Sequence, residues 1–401
     1  MQLPRLLLVV SFVVLVGAIG CGDDDPAAPN NAGGLDTLSF FNFHEASVVI
    51  GQVGMTSKGV NASGTIGAQG FNDPWSAGAG TGPYYVADFG NNRVLGFTEI
   101  PTSNGATAAF VLGQPDFTSN GSGMSAQSFN GPIACAVSDG KLFVADYSNN
   151  RVLIWNSLPT SNVAADVVVG QPDFTTNSGS ISREDLFVPI DVTAVGGKLI
   201  VVDRGHERIL IWRSIPTTNG APADLVVGQT DFVTSTSGLS RTKFNGPSNV
   251  WSDGRRLVVG DNENDRVLIW NSFPTVNGQP ADVVVGAPDF TTPAANVASA
   301  TTFRGVGGVA SDGISLFVTD IGSNRILTFS PFPIFNGAAA VGVIGQDSFT
   351  AIAANDQNQD GVNDGSPTER TLSIPFDIHV QGNRLIVADN DNNRLLIYVG
   401  N

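Results

Sequence analysis

"ADYSNNRVLIW" at residues 145–155 has two near copies, "ADFGNNRVLGF" at 87–97 and "ADNDNNRLLIY" at 388–398. Looser copies keep only the frame, an Asp, four residues and an Arg. The pairs are Asp88/Arg93, Asp146/Arg151, Asp203/Arg208, Asp261/Arg266, Asp320/Arg325 and Asp389/Arg394. Successive arginines stand 58, 57, 58, 59 and 69 residues apart. A near-constant period of this length is the mark of a repeat architecture, in which each copy is one supersecondary unit.

Working outward from the phrase, each copy carries more. Upstream is a start motif: "FNDP" at 71–74, "FNGP" at 129–132, "FVP" at 187–189, "FNGP" at 244–247, "FRGV" at 303–306 and "SIP" at 373–375. Downstream come "PTSNG" and then "DVVVGQPDF", or variants of them. Runs such as "KLFVAD", "RVLIW" and "ADVVVG" are β-branched, Leu-rich or aromatic and bounded by Gly, Pro, Asn and Asp. They read as strands. "SDGK", "SDGRR" and "SDGIS" read as hairpin turns in which Gly supplies positive φ. Four strands per repeat, six times over, predict an all-β, six-bladed β-propeller of four-stranded blades.

The two ends of the repeat region agree with a closed ring. The last copy stops after its third strand, and "ASVVIGQVG" at 46–54 is a fourth strand with no copy before it. Residues 47–50 are predicted to complete the last blade. The "P…LFVAD…NNRVLIW" pattern over residues 46–401 resembles the NHL repeat family of six-bladed propellers. These blades are longer than that family's usual ones, mainly around "GQPDFTSNG". The resemblance implies the fold; its members include binding scaffolds, signalling proteins and a few enzymes, so function has to be argued from the site.

The six Asp/Arg pairs are expected to be architectural, because an active site needs its residues once. The aromatic residues that follow them, Phe97, Trp155, Trp212, Trp270, Phe329 and Tyr398, are expected to pack between blades. Formal net charge is −16 and no basic cluster offsets it. A phosphate backbone would be repelled, so nucleic acid is not an expected partner.

The chain opens "MQLPRLLLVVSFVVLVGAIGCGDDD". Arg5 before an apolar run and small residues reads as a secretory signal over 1–20. Ala18, Ile19 and Gly20 before Cys21 resemble the lipobox of bacterial lipoproteins, although Ala18 stands where that family usually has Leu. The resemblance implies lipid on Cys21. Residues 21–45 are then the lipidated cysteine and a disordered tether, with the propeller at 46–401. The implied location is the bacterial cell envelope, at the outer membrane or cell surface rather than the inner membrane.

Candidate sites lie where the copies differ. Two residues after each start proline stand Ser76, Ala134, Asp191, Asn249, Gly308 and Asp377. Asp191, Asn249 and Asp377 are placed near the central channel, where oxygen ligands could meet a hard cation. His379 follows on the strand of Asp377 with the same side-chain parity. His206 is expected to be an exposed turn residue, and Cys135 a small core residue. The long last spacing holds "ANDQNQDGVNDGSP" at 354–367. Asp356, Asn358, Asp360 and Asp364 match the first half of an EF-hand loop, so calcium is the expected cofactor. Pro367 stands where such a loop needs Glu. The expectation for function is a membrane-anchored binding or scaffold module for a protein, peptide or glycan, not an enzyme. The alternative is a metal-dependent, lactonase-like hydrolase or lyase in the channel.

Overall fold

A computed structural model describes residues 38–40, 42–78, 80 and 82–400. Cys21, the signal at 1–20 and the tether up to residue 37 lie outside the described residues. Six antiparallel four-stranded sheets form the blades of a propeller, with almost no helix. Blade 1 consists of Pro74–Gly78, Tyr84–Asp88, Arg93–Phe97 and Phe110–Leu112, from the axis outward. Blades 2 to 5 repeat this order, with inner strands Pro132–Ser138, Pro189–Val195, Pro247–Ser252 and Val306–Ser311. Blade 6 has Pro375–Gln381, Arg384–Asp389 and Arg394–Val399, and takes its outer strand from Val48–Ile50. Val48 pairs with Ile397 and Ile50 with Leu395, which closes the ring as expected.

The apolar faces of neighbouring blades meet as sandwiches; Val152 and Ile154 of blade 2 share a core with Ile200 and Val202 of blade 3. Burial on both faces explains why these strands read as continuous apolar runs. Two distant motif residues also explain each other. The glycine of "VLGQ" or "VVVGQ" has positive φ, and the ring of "FNGP" lies on it. A Cβ on Gly113 (φ 86) would stand 2.2 Å from Phe129. In blade 3 that cover is Leu186, so the start motif there is "LFVP" and begins one residue earlier than "FVP".

The repeated phrase forms a polar network. Asp and Arg flank a short 3-10 turn, and all six pairs are fully buried. In blade 2, Arg151 Nε donates to Asp146 Oδ2 at 2.8 Å. Its other nitrogens donate to the carbonyls of Phe174, Ser125 and Ser128, all in the long loops beside the blade. Asp146 Oδ1 accepts from the Asn130 N–H at 2.7 Å. The guanidinium thus ties the "GQPDF" loop to the sheet while satisfying backbone carbonyls that the loop would otherwise bury unpaired.

The residue before each Arg is left-handed and reaches to the next blade. Asn92 Oδ1 accepts from the Gly131 N–H, Asn150 Oδ1 from Val188, and Glu207 Oε2 from Gly246. Asp265 does so with Gly305, Asn324 with Ile374, and Asn393 with Asp73. Six side chains, each an acceptor, therefore staple six blades in an unbroken circle.

The segment expected to end a disordered tether at 45 is packed against the ring from Leu38. In the internal repeats, the Asn of "SNG" caps the outer strand of the preceding blade: Asn219 Oδ1 accepts from Val168 and Asn277 Oδ1 from Val226. The Gly after it donates to the same strand residue. At blade 5 the cap is Asn42, which accepts from the Val343 N–H at 3.1 Å, and Phe43 donates to the Val343 carbonyl. Phe43 even adopts the positive φ (56°) of the glycine it replaces. Phe40 packs edge-on against Phe317 and Tyr398. Closure is thus a strand together with its preceding cap.

Candidate functional site

Each inner strand carries a β-bulge just after its start proline, or after Val306 in blade 5. The bulge re-aims successive side chains, which is how bulges serve sites at sheet rims. Two cavities result on the axis.

The first, about 240 Å³, runs along the inner strands and is lined by Ser76, Asp191, Asn249, Asp377 and His379, among others. The expected channel residues do meet here. Asn249 Nδ2 donates to Asp377 Oδ1 at 2.9 Å, and Asn249 Oδ1 accepts from the Val309 N–H of blade 5. Asp191 accepts from the Val192 N–H and, across to blade 4, from the Val250 N–H, each at 2.8 Å. They form a belt that binds inner strands to one another. Burial pushes the Asp377 carboxyl up to about 6, against hydrogen bonds from Ser76, Ile378 and Asn249. Burial, and then the charge of Asp377, raise Asp191 well above the usual carboxyl range. Burial lowers the His379 imidazole and raises the Cys135 thiol, which keeps that cysteine an unreactive core residue.

The second cavity, about 470 Å³, opens at the other end of the axis, on the side of the 3-10 turns. All six blades contribute to it. One arc is aromatic: Phe376, Trp75, Phe89 and Tyr147 follow one another with ring centroids 4.0, 5.7 and 5.9 Å apart. Ile133 and Ile190 extend the apolar wall. The opposite arc carries Arg204, Asn262 and Arg304. Arg204 donates to the Gly246 carbonyl and to Glu263 at 3.0 Å. Arg304 donates to Asn296 Oδ1 and the Gly322 carbonyl, and has no salt bridge among the described residues. The result is an amphiphilic bowl, apolar on one side and cationic on the other.

None of the bowl's side chains was among the sequence candidates. Apart from Arg304, which stands in the start motif right after Phe303, their signal lay in two columns of the repeat that vary from copy to copy. One is the first turn residue after each Asp: Phe89, Tyr147, Arg204, Asn262, Ile321, Asn390. The other is the residue after each start proline or Val306: Trp75, Ile133, Ile190, Ser248, Gly307, Phe376.

One other expectation changes. His206 is buried, not exposed: its Nδ1 lies 2.9 Å from Asp203 Oδ2, in the place Asn149 takes beside Asp146. In the 354–367 loop, Asp356 accepts from the Gly361 and Asp360 N–H groups, and Asp364 accepts from the Gln357 N–H. Asn358 donates to Asp360. These hydrogen bonds run within the loop. Among the described residues, no three His, Cys, Asp or Glu side chains are grouped to hold a metal ion, in this loop or in the channel.

No family model matches the chain, and no curated protein matches it in sequence. Its fold is similar to several solved propellers. Virginiamycin B lyase from Staphylococcus aureus is 11% identical, with 83% of this chain and 97% of that one covered and a TM-score of 0.41. A candidate 6-phosphogluconolactonase from Bacteroides uniformis is 15% identical, with 88% and 91% covered and a TM-score of 0.46. Aldose sugar dehydrogenase from Streptomyces coelicolor, in its PQQ-bound form, is 16% identical, with 83% and 95% covered and a TM-score of 0.47. The six-bladed propeller is thus a fold with neighbours of several activities, and none of these likenesses carries a site to this chain.

Proposed function

We propose that this NHL-like propeller is a binding module held at the bacterial envelope by lipid on Cys21, and that it engages its ligand over the face bearing the bowl. The observation that supports this reading is the bowl: concave, on the axis, walled mainly by aromatic and aliphatic side chains, with a few polar groups to orient what enters. That is the usual make-up of a ligand site. A protein or peptide partner would insert a side chain there. A glycan fits less well, because its hydroxyls would meet an apolar wall and lose hydrogen bonds to water without replacement.

A metal-dependent hydrolase or lyase in the channel is the weaker reading. The carboxylates and amide it would use are already bonded to neighbouring strands, and they do not form a ligand group. If the channel were nonetheless catalytic, alanine at Asp191, Asn249 and Asp377 would abolish turnover and leave ligand capture at the bowl intact.

The test is capture from native envelopes after mild crosslinking, comparing the lipidated protein, Cys21→Ser and Trp75→Ala. A partner or ligand retained by the first and lost from Trp75→Ala is the expected result. Retention by Trp75→Ala equal to wild type would remove the bowl from the reading. An unchanged membrane fraction for Cys21→Ser would remove the lipid.

A further inference from the structure

We infer that the bowl takes a small aryl carboxylate, with its ring against the Phe376–Trp75–Phe89–Tyr147 arc and its carboxylate on Arg304 and Arg204. This assignment rests on the bowl being the recognition site. Three observations carry it.

The first is charge. The protein has a formal net charge of −16, yet two of its arginines face one small cavity. Six other arginines are used up in buried Asp pairs. Arg204 is paired with Glu263, and Asp265 lies within electrostatic reach of Arg304, but Arg304 makes only neutral hydrogen bonds, to Asn296 and Gly322, and its Nη2 donates to none of the described residues. A guanidinium nitrogen left open beside an apolar wall suits one oxygen of a carboxylate.

The second is the segregation of chemistry across the bowl. The aromatic side chains come from blades 6, 1 and 2, and the cations from blades 3 and 5. A ligand uniformly apolar would waste the arginines. One uniformly polar would bury hydroxyls against Trp75 and Phe376. The arrangement suits a molecule with a flat apolar body at one end and one negative group at the other. Aromatic rings a few ångströms apart and tilted or edge-on, as here, offer both faces and edges to such a body.

The third is size. A cavity of about 470 Å³ matches the volume of a free small molecule. It is walled by residues of all six blades.

The experiment uses the soluble propeller and follows quenching of its tryptophan emission, checked by calorimetry. The probes are naphthoate, its neutral amide naphthamide, the cation naphthylmethylammonium and an N-acetylated dipeptide ending in phenylalanine. Naphthoate is expected to bind at least about tenfold tighter than naphthamide, and the ammonium not at all. Arg304→Gln, whose folding is checked by its thermal melt, is expected to erase the preference for the acid while keeping amide binding. Trp75→Ala is expected to lose both. Amide or ammonium binding as tight as the acid would overturn the carboxylate assignment and leave the bowl as a binding site. Tighter binding of the dipeptide than of naphthoate would overturn the small-molecule assignment in favour of a peptide terminus. If no probe binds and envelope capture is also indifferent to Trp75→Ala, both the assignment and the binding reading fall.

Discussion

The outer network and the axis of this propeller obey opposite rules. Around the outer network, six copies of one arrangement repeat almost atom for atom: Asp, Arg, a left-handed acceptor and the next blade's amide. On the axis, six equivalent positions hold five residue types, from Trp75 and Phe376 to Gly307. Periodicity marks what the ring needs in order to close, and its loss marks where the molecule is free to be specific. In the outer network every buried charge has a partner; on the axis two buried carboxylates share one neck.

The largest effect should come from breaking the network. Arg151→Met leaves Asp146 buried without its countercharge, and a cost of about 3–5 kcal/mol is expected, read as a shift of the urea midpoint. The double variant Asp146→Leu/Arg151→Met should lose distinctly less, because it leaves no orphaned charge. Equal losses would mean that the Arg contacts to Phe174, Ser125 and Ser128 matter more than the pair.

The axis should respond to pH instead. The folded Asp377 carboxyl, raised to about 6, lies above an unfolded value near 3.8. Between those values the folded protein holds the extra proton, so this group's contribution is full below the lower value and is lost as pH rises through 6. Asp377→Asn should remove on the order of 2 kcal/mol of that pH-dependent loss. The check is the difference between wild-type and variant stability at about pH 4.5 and about pH 7, inside and above the titration window. A difference that does not change with pH would place the titration elsewhere.

Smaller effects test the seam and the staples. Asn42→Ala should cost about 1 kcal/mol, like the loss of any cap to a strand amide, and matching Asn219→Ala would show that the stand-in equals the original. Ile374 is a β-branched residue held at φ 53° and 40% exposed. Ile374→Gly should therefore gain about 0.5–1 kcal/mol, measured as a higher melting temperature; a loss would show that the side chain is needed at the rim.

The fold was legible because its signals recur: Gly113 and Phe129 each appear in several copies, and the period fixes blade count and closure. The cap at Asn42 was missed although its spacing is regular, since Asn42 stands six residues before Val48 as Asn219 does before Leu225. The surrounding "FFNFH" hid it by replacing Gly with Phe43. His206 was misread because a turn looks exposed in sequence, whereas Asp203 at its base is buried and draws the imidazole inward. Asp191, Asn249 and Asp377 lie on the axis, but a sequence cannot show that Asn249 and Asp191 spend their polar atoms on neighbouring strands. The bowl was invisible because it is assembled from single residues of six copies, and no local pattern joins Trp75 to Arg304.

The pairing of Val48 with Ile397 also sets the order of events in folding. The ring's seam joins residues almost 350 positions apart (397 − 48 = 349), so no amount of early local structure can finish it. Such distant pairing is entropically slow and waits on everything between. Blades 1 to 5 can form from local hairpins as they appear, but the pairing of Val48–Ile50 with the last blade must wait until residues 394–399 arrive. The seam is therefore the one lock of the ring that only the finished chain can turn.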